Sequence, residues 1–215
     1  MAIETKKLYL DFQRFKDQEV EINGWVRNNR SQKEFGFIDL NDGTAFETVQ
    51  VVYESTMENF KEISKFRVGS AITVKGKVVL TPEMKQPFEV KATQINLDGD
   101  SLDDYPIQPK RHTREFLREN AHLRMRTNLF NAVFRVRSVV SYAIHKFFQE
   151  RGFVYLHAPI ITASDAEGAG EMFQVTTLAG KKPEENYSND FFGKKASLSV
   201  SGQLQAEAYA LAYKN

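Results

Sequence analysis

The chain has 215 residues, 41% hydrophobic and 27% charged, enough for two domains of about a hundred residues each. Its 29 Lys and Arg against 28 Asp and Glu give a net charge of +1, so any nucleic-acid surface has to be local. The absence of cysteine excludes disulfides, thiolate zinc sites and cysteine nucleophiles. The four histidines (His112, His122, His145, His157) show no ligand spacing, so no metal is expected, and no uncharged run is long enough to span a bilayer. The N-terminus lacks the apolar stretch of a secretory signal, and a cytoplasmic protein is expected.

From residue 20 to 98 apolar residues recur with period two between Gly-containing turns. In the first strand Val20, Ile22, Gly24 and Val26 share one face, and Glu21, Asn23, Trp25 and Arg27 the other. Residues 37–40, 48–53, 71–80 and 88–97 are predicted as four more strands. Residues 57–66, with Phe60, Ile63 and Phe66 at helical spacing, are predicted as a helix. Five strands with one helix between the third and fourth is the order of an OB barrel, although other small β-barrels share such patterns.

Residues 99–113 hold two prolines and no periodicity, which marks a linker. Beyond it, 115–124 reads as a short amphipathic segment. Residues 128–151 read as a long helix whose apolar face runs from Phe130 and Val133 to Phe147 and Phe148 and which ends at Gly152. A strand over 153–161 containing Pro159, a polar insertion over 181–190, a strand over 196–200 and a helix from about Leu204 complete the pattern. The division is therefore a barrel domain over 1–100, a hinge over 101–127 and a second, α+β domain over 128–215.

Two motifs identify a resemblance: AEGAGE at 166–171 and SVSGQLQAE at 199–207. Following a barrel, a Pro-containing hinge, a long helix and the run GFVYLHAP at 152–159, they resemble the front half of a class II aminoacyl-tRNA synthetase of the aspartate, asparagine and lysine subgroup. The resemblance covers the whole chain. It implies an antiparallel-sheet catalytic domain, incomplete here, and a homodimer interface at the helix and strand ending in Pro159.

Aspartate enzymes of the subgroup follow Ser-Pro-Gln-Leu-aromatic with a lysine that pairs the substrate carboxylate. Here the run is Ser201-Gly-Gln-Leu-Gln-Ala-Glu207, with Ala206 at that lysine. A buried carboxylate without its cation costs roughly several kcal/mol, whereas Glu207 accepts an N–H from an amide. The resemblance is thus to asparaginyl-tRNA synthetases of bacterial type. It implies that Glu167 sits in a mobile loop closing over the substrate, that Ser201 lines the amino-acid pocket and Gln203 contacts the amino acid, and that Glu207 is the candidate reader of its amide.

On the barrel, Phe37 alternates with Ile38, and Gln50 with Val49 and Val51, so both point away from the core; Arg27 does likewise, while Trp25 is expected to pack. An exposed ring beside an amide and guanidinium groups suits unpaired RNA: the ring stacks a base, the amide reads its edge and the cations hold phosphates. The resemblance assigns Phe37 and Gln50 to the central uridine of the anticodon and Arg30 to a further RNA contact. Lys110, Arg111 and His112, with Arg114, Arg118, Arg124 and Arg126, form the one local concentration of positive charge.

The resemblance implies ATP- and Mg2+-dependent activation of asparagine and its transfer to tRNA(Asn). The family's ATP-binding motifs are not found in these 215 residues, and no Gly-rich phosphate loop replaces them, so no catalytic residue is assigned and the chain alone is expected to be inactive. Residues after Thr127 are expected to pack poorly without further chain or a second copy. The alternatives are a non-catalytic OB-type RNA-binding module, which would have no use for Ser201 and Gln203, and an aspartyl-tRNA synthetase, against which Ala206 argues.

Overall fold

Alternating apolar residues close five strands into a barrel: β1 (Glu19–Ser31), β2 (Phe35–Asn41), β3 (Val49–Glu54), β4 (Ala71–Leu80) and β5 (Phe88–Gly99). The computed structural model describes residues 2–166, 172–178 and 187–213, and the chain forms two compact units, Met1–Arg137 and Ser138–Asn215. The strand order is β1-β2-β3-β5-β4, closed by β1 pairing with β4. The long β1 makes this possible: its first half pairs with β4, its second half with β2, and Trp25 stands opposite both Ala71 and Asn41. All contacts between neighbours are antiparallel except β3 with β5, which run parallel through Val51 opposite Val90. The inward residues, among them Ile22, Val26, Ile38, Val51, Val74 and Ile95, are fully buried.

Three elements of the barrel differ from the sequence expectation. The helix expected over 57–66 is only α2 (Phe60–Ile63), flanked by turns in which Phe60 N–H donates to Met57 (3.0 Å) and Phe66 N–H to Ile63 (3.0 Å). A three-residue spacing of apolar groups serves such turns as well as a helix. A helix that the periodicity did not announce, α1 (Thr5–Asp11), precedes β1; it is short and its own N-cap residue, Glu4, makes no capping bond. It holds by packing, with Leu8 buried in the core and the Tyr9 ring 5.0 Å from Phe88. Trp25 does not pack as expected, and 45% of it is exposed.

Asp42 anchors α1. Its carboxylate accepts from Thr5 N–H (2.7 Å), Thr44 N–H (2.9 Å) and the Thr44 hydroxyl (2.7 Å). Burial by itself would raise the Asp42 pKa, but these donors outweigh it and hold the carboxyl below the ordinary value of 3.8. A group with a depressed folded pKa stabilises above its unfolded value, and that contribution disappears as pH falls through the folded one. Replacing Asp42 by Ala is expected to cost about 1 kcal/mol at pH 7, toward the low end for charge-assisted bonds because solvent reaches the group. Urea titrations at pH 7 and pH 3 check this: the difference between wild type and variant should shrink at the lower pH.

The hinge lies against the barrel within the first unit. Arg67 pairs with Asp100 and Asp103, the Ser70 hydroxyl donates to Asp100 (2.9 Å), and Thr113 caps α3 (Arg114–Glu119) by accepting from Phe116 N–H (3.2 Å). The helix α4 (Asn128–Gln149) follows and buries none of its residues.

In the second unit the strand expected over 153–161 shrinks to β6 (Ile161–Thr162), which pairs with β8 (Ala196–Leu198), itself flanked by β7 (Gln174–Val175). A strand needs a partner for its backbone groups, and β8 is three residues long, so β6 cannot extend along it. Pro159 has no N–H to give, and Phe153, Val154, Tyr155 and Ile160 stay exposed. The strand expected over 196–200 ends at 198; Ser199 N–H still donates to the Ile160 carbonyl (2.7 Å), while its hydroxyl donates to the Ser201 carbonyl and accepts from Ser201 N–H (3.2 Å). Asp190 joins two segments: the Thr177 amide, with the Thr176 and Thr177 hydroxyls and the Phe191 amide, holds its carboxyl far below the usual range.

Candidate functional site

The outer face of the barrel is set by an irregularity in β1. Val26 pairs with Leu40 and Asn28 with Asp39, so Arg27 is an extra residue without an opposite number, a β-bulge. Beyond it the alternation inverts. Asn29 turns to the core side, accepting the Tyr53 hydroxyl (3.0 Å) and donating to the Ile63 (2.8 Å) and Phe66 (3.1 Å) carbonyls. Arg30 is thereby brought opposite Phe37, and its guanidinium lies 5.6 Å from the ring centroid.

Around Phe37 the face is continuous. Phe35 meets it edge-on at 5.4 Å, Asp39 accepts from Asn28 (3.3 Å) and lies 3.9 Å from Arg30, and Gln50 stands opposite Asp39 on β3. The Gln50 amide donates to Glu89 on β5 (3.2 Å). Phe37 and Gln50 are half-buried and Arg30 is exposed, which leaves a ring, an amide and a cation accessible together. The two carboxylates, Asp39 and Glu89, escaped the sequence reading. Both alternate with buried residues (Ile38 and Leu40, Phe88 and Val90), so the same parity argument would have found them. A carboxylate accepts N–H groups and repels anions, so these two set the polarity of the face.

Arg27 stands apart from this group. Its Nη1 donates to the Arg126 carbonyl in the hinge (2.7 Å) and its Nη2 reaches Asn41 Oδ1 (3.4 Å). Burial lowers its pKa from the ordinary arginine value, and the neighbouring Arg126 charge acts in the same direction. It borders a cleft of about 1660 Å³ lined by Trp25, Tyr105, Lys110, Arg111, His112 and Arg126, among others. Arg114 of the sequence-identified basic cluster also lines it; Arg124 instead lies over the rings of Phe130 (4.7 Å) and Phe134 (5.9 Å).

Three of the residues that the resemblance assigns to an amino-acid pocket, Ser201, Gln203 and Glu207, lie just before or within α5 (Gln203–Ala210). The Ser201 hydroxyl accepts from Gln203 N–H (3.0 Å), and the Gln203 amide donates to Glu207 Oε1 one turn on (3.0 Å). Gln203 and Glu207 therefore form an acceptor-and-amide pair on one helix face, the polarity that a carboxamide and an ammonium require. Pro159 is exposed. Glu167 and its glycine-rich neighbours lie outside the described residues.

Two family models match the chain: an OB-fold nucleic acid binding domain over residues 20–98, and tRNA synthetases class II (D, K and N) over 113–213. The chain is 58% identical over its whole length to an asparagine–tRNA ligase of Alkaliphilus oremlandii, and 59% identical to one of Acholeplasma laidlawii. The chain belongs to the class II tRNA synthetases of the aspartate, lysine and asparagine group. It spans about half the length of these relatives, 48% in both cases. In fold it is similar to the asparaginyl-tRNA synthetase of Pyrococcus horikoshii solved with asparaginyl-adenylate, with a TM-score of 0.80 and 23% identity over 98% of this chain and 45% of that one. Family membership and the closed five-stranded barrel agree with the sequence reading of an OB domain followed by a class II catalytic portion. Among the described residues no helix is long and apolar enough to cross a membrane.

Proposed function

We propose that this chain provides the anticodon-binding domain and part of the amino-acid pocket of a cytoplasmic, homodimeric enzyme that activates asparagine with ATP and transfers it to tRNA(Asn). The observation that carries the reading is the accessible group of Phe37, Arg30 and Gln50 on one barrel face, in a chain whose relatives at 58 and 59% identity are named asparagine–tRNA ligases. Phe37 stacks an unpaired anticodon base and Gln50 reads its edge, while Arg30 holds a phosphate. Ser201, Gln203 and Glu207 bind the amino acid, with Glu207 accepting the side-chain amide, and Glu167 belongs to the loop that covers it. Pro159 and α4 form the dimer contact.

Among the described residues no three His, Asp or Glu side chains are grouped to hold a metal ion. The steps assigned here to Phe37, Arg30, Gln50, Ser201, Gln203 and Glu207 involve neither the ion nor ATP. The 215 residues alone are accordingly expected to give no asparagine-dependent ATP–pyrophosphate exchange.

The test is charging of tRNA(Asn) and tRNA(Asp) by the full-length enzyme containing this chain, with asparagine and with aspartate. Asparagine on tRNA(Asn) should exceed every other combination by roughly 10²-fold or more, as expected where a buried polar pair would be left unmatched by the wrong substrate. Equal charging with aspartate would refute the pocket assignment, and failure to bind tRNA(Asn) would refute the anticodon assignment.

A further inference from the structure

We infer that Arg27 is a positioning residue which ties the RNA-facing surface of the barrel to the hinge, so that a base seated on Phe37 alters the backbone at Arg126. The inference rests on the anticodon-binding reading of that surface.

Three observations within the first unit carry it. Arg27 occupies the bulge of β1, the one point where the ladder to β2 is interrupted and where a side chain is re-aimed. Its strongest bond reaches 99 residues along the chain, to the Arg126 carbonyl, and Arg126 in turn donates to the Tyr105 hydroxyl (3.0 Å) and lies over that ring at 5.6 Å. On the other side, Asn28 leads into the RNA face: its amide donates to Asp39, Asp39 pairs with Arg30, and Arg30 covers Phe37.

The chemistry gives this arrangement a direction. Arg30 and a nucleobase compete for the accessible surface of one ring, so stacking a base on Phe37 moves Arg30, and a phosphate beside that base draws it further from Asp39. Asp39 then has only the Asn28 amide as its partner. The next residue back is Arg27, at the least laddered point of the strand, and its other end is fixed in the hinge. The path is polar from Phe37 to Asn28 and covalent, through the backbone, from Asn28 to Arg27, and coupling along it needs no movement of the barrel core. One Arg27 N–H is committed to the Arg126 carbonyl. Bare strand parity grouped Arg27 with the RNA-binding residues, and the structure assigns it the hinge instead.

The experiment uses the full 215-residue chain and a stem–loop RNA carrying an asparagine anticodon, with affinity read by fluorescence anisotropy and backbone exchange at residues 122–131 read by hydrogen–deuterium mass spectrometry. Wild type should bind, and the RNA should slow hinge exchange by about fivefold. Arg27→Ala should keep the affinity within about twofold yet lose the slowing, and Arg27→Lys, still able to donate to the carbonyl, should recover much of it. Tyr105→Phe, which removes the far end of the path without touching β1, should weaken the slowing in the same way and supplies the test should Arg27→Ala not fold. A tenfold or larger loss of affinity in Arg27→Ala, with hinge slowing intact in Tyr105→Phe, would make Arg27 an RNA ligand and overturn the inference. Unchanged slowing in Arg27→Ala would overturn it too. Absence of RNA binding by wild type would instead remove the anticodon reading on which it stands.

Discussion

Valine in place of Gly76 is expected to lower the urea midpoint of the barrel sharply. A Cβ at this position would lie 2.4 Å from the Lys91 carbonyl oxygen and 2.9 Å from the Ala92 Cα, both backbone atoms of the paired strand. The register of β4 against β5 shifts between Lys75 and Gly76, and the missing side chain is what lets the two strands approach at that corner. A flexible neighbour could move aside, but a laddered backbone cannot without giving up its hydrogen bonds. The cost is about 3 kcal/mol, the upper end for overpacking because the clash is with backbone, and a large share of the ~5–15 kcal/mol that holds a domain together. Gly99→Ala is the control: nothing lies within 4 Å of a Cβ there, and its effect should be within about 0.5 kcal/mol. Urea denaturation followed by the fluorescence of Trp25, the one tryptophan, reads both. A Gly76→Val protein with the wild-type midpoint would show that the β4-β5 corner is not as close as described.

Loss of the Phe37 ring should weaken anticodon stem–loop binding more than any other single change on the outer face. Base stacking on an aromatic is worth about 1–3 kcal/mol, so Phe37→Ala is expected to reduce affinity roughly 5- to 150-fold. The fold should tolerate it, since the ring lies outside the core and its main partner is Phe35 at 5.4 Å. Phe37→Trp should restore binding because any π face stacks. Arg30→Ala offers the contrast: its loss should be moderate, and the salt dependence of binding should fall by about one ion, whereas Phe37→Ala should leave that slope unchanged. Isothermal titration at two salt concentrations separates the two. An alanine at 37 that binds as tightly as wild type would remove the stacking role.

How far the sequence could be read follows from which signals are local. The five strands of the barrel announce themselves because each buries alternate residues in a core it helps to build, and Val49 to Tyr53 reads the same with or without its neighbours. The bulge at Arg27 left no trace in the pattern. It exists only relative to β2, so parity assigned Arg27 and missed that Arg30, three residues on, shares the face of Phe37. The same logic explains the second unit, where 153–161 has the composition of a strand but the described ladder reaches only Ile161 and Thr162. Helix α1 was invisible for another reason, seven residues being too few for a period. Gln203 and Glu207 were assigned to a pocket only through resemblance, since a helix-surface Glu beside a Gln carries no chemistry of its own.

Closure of the barrel through β1 and β4, and of β4 onto β5, ends with Ala71 opposite Gly99. Every strand that completes it is therefore synthesised before the hinge. Barrels of this kind fold in milliseconds to seconds, while the remaining residues of the chain take roughly 5–25 s to add at ~5–20 residues per second. On the ribosome the barrel face of Arg30, Phe37 and Gln50 is thus native before the helix carrying Gln203 and Glu207 exists, so the barrel closes without competing with those later residues for partners.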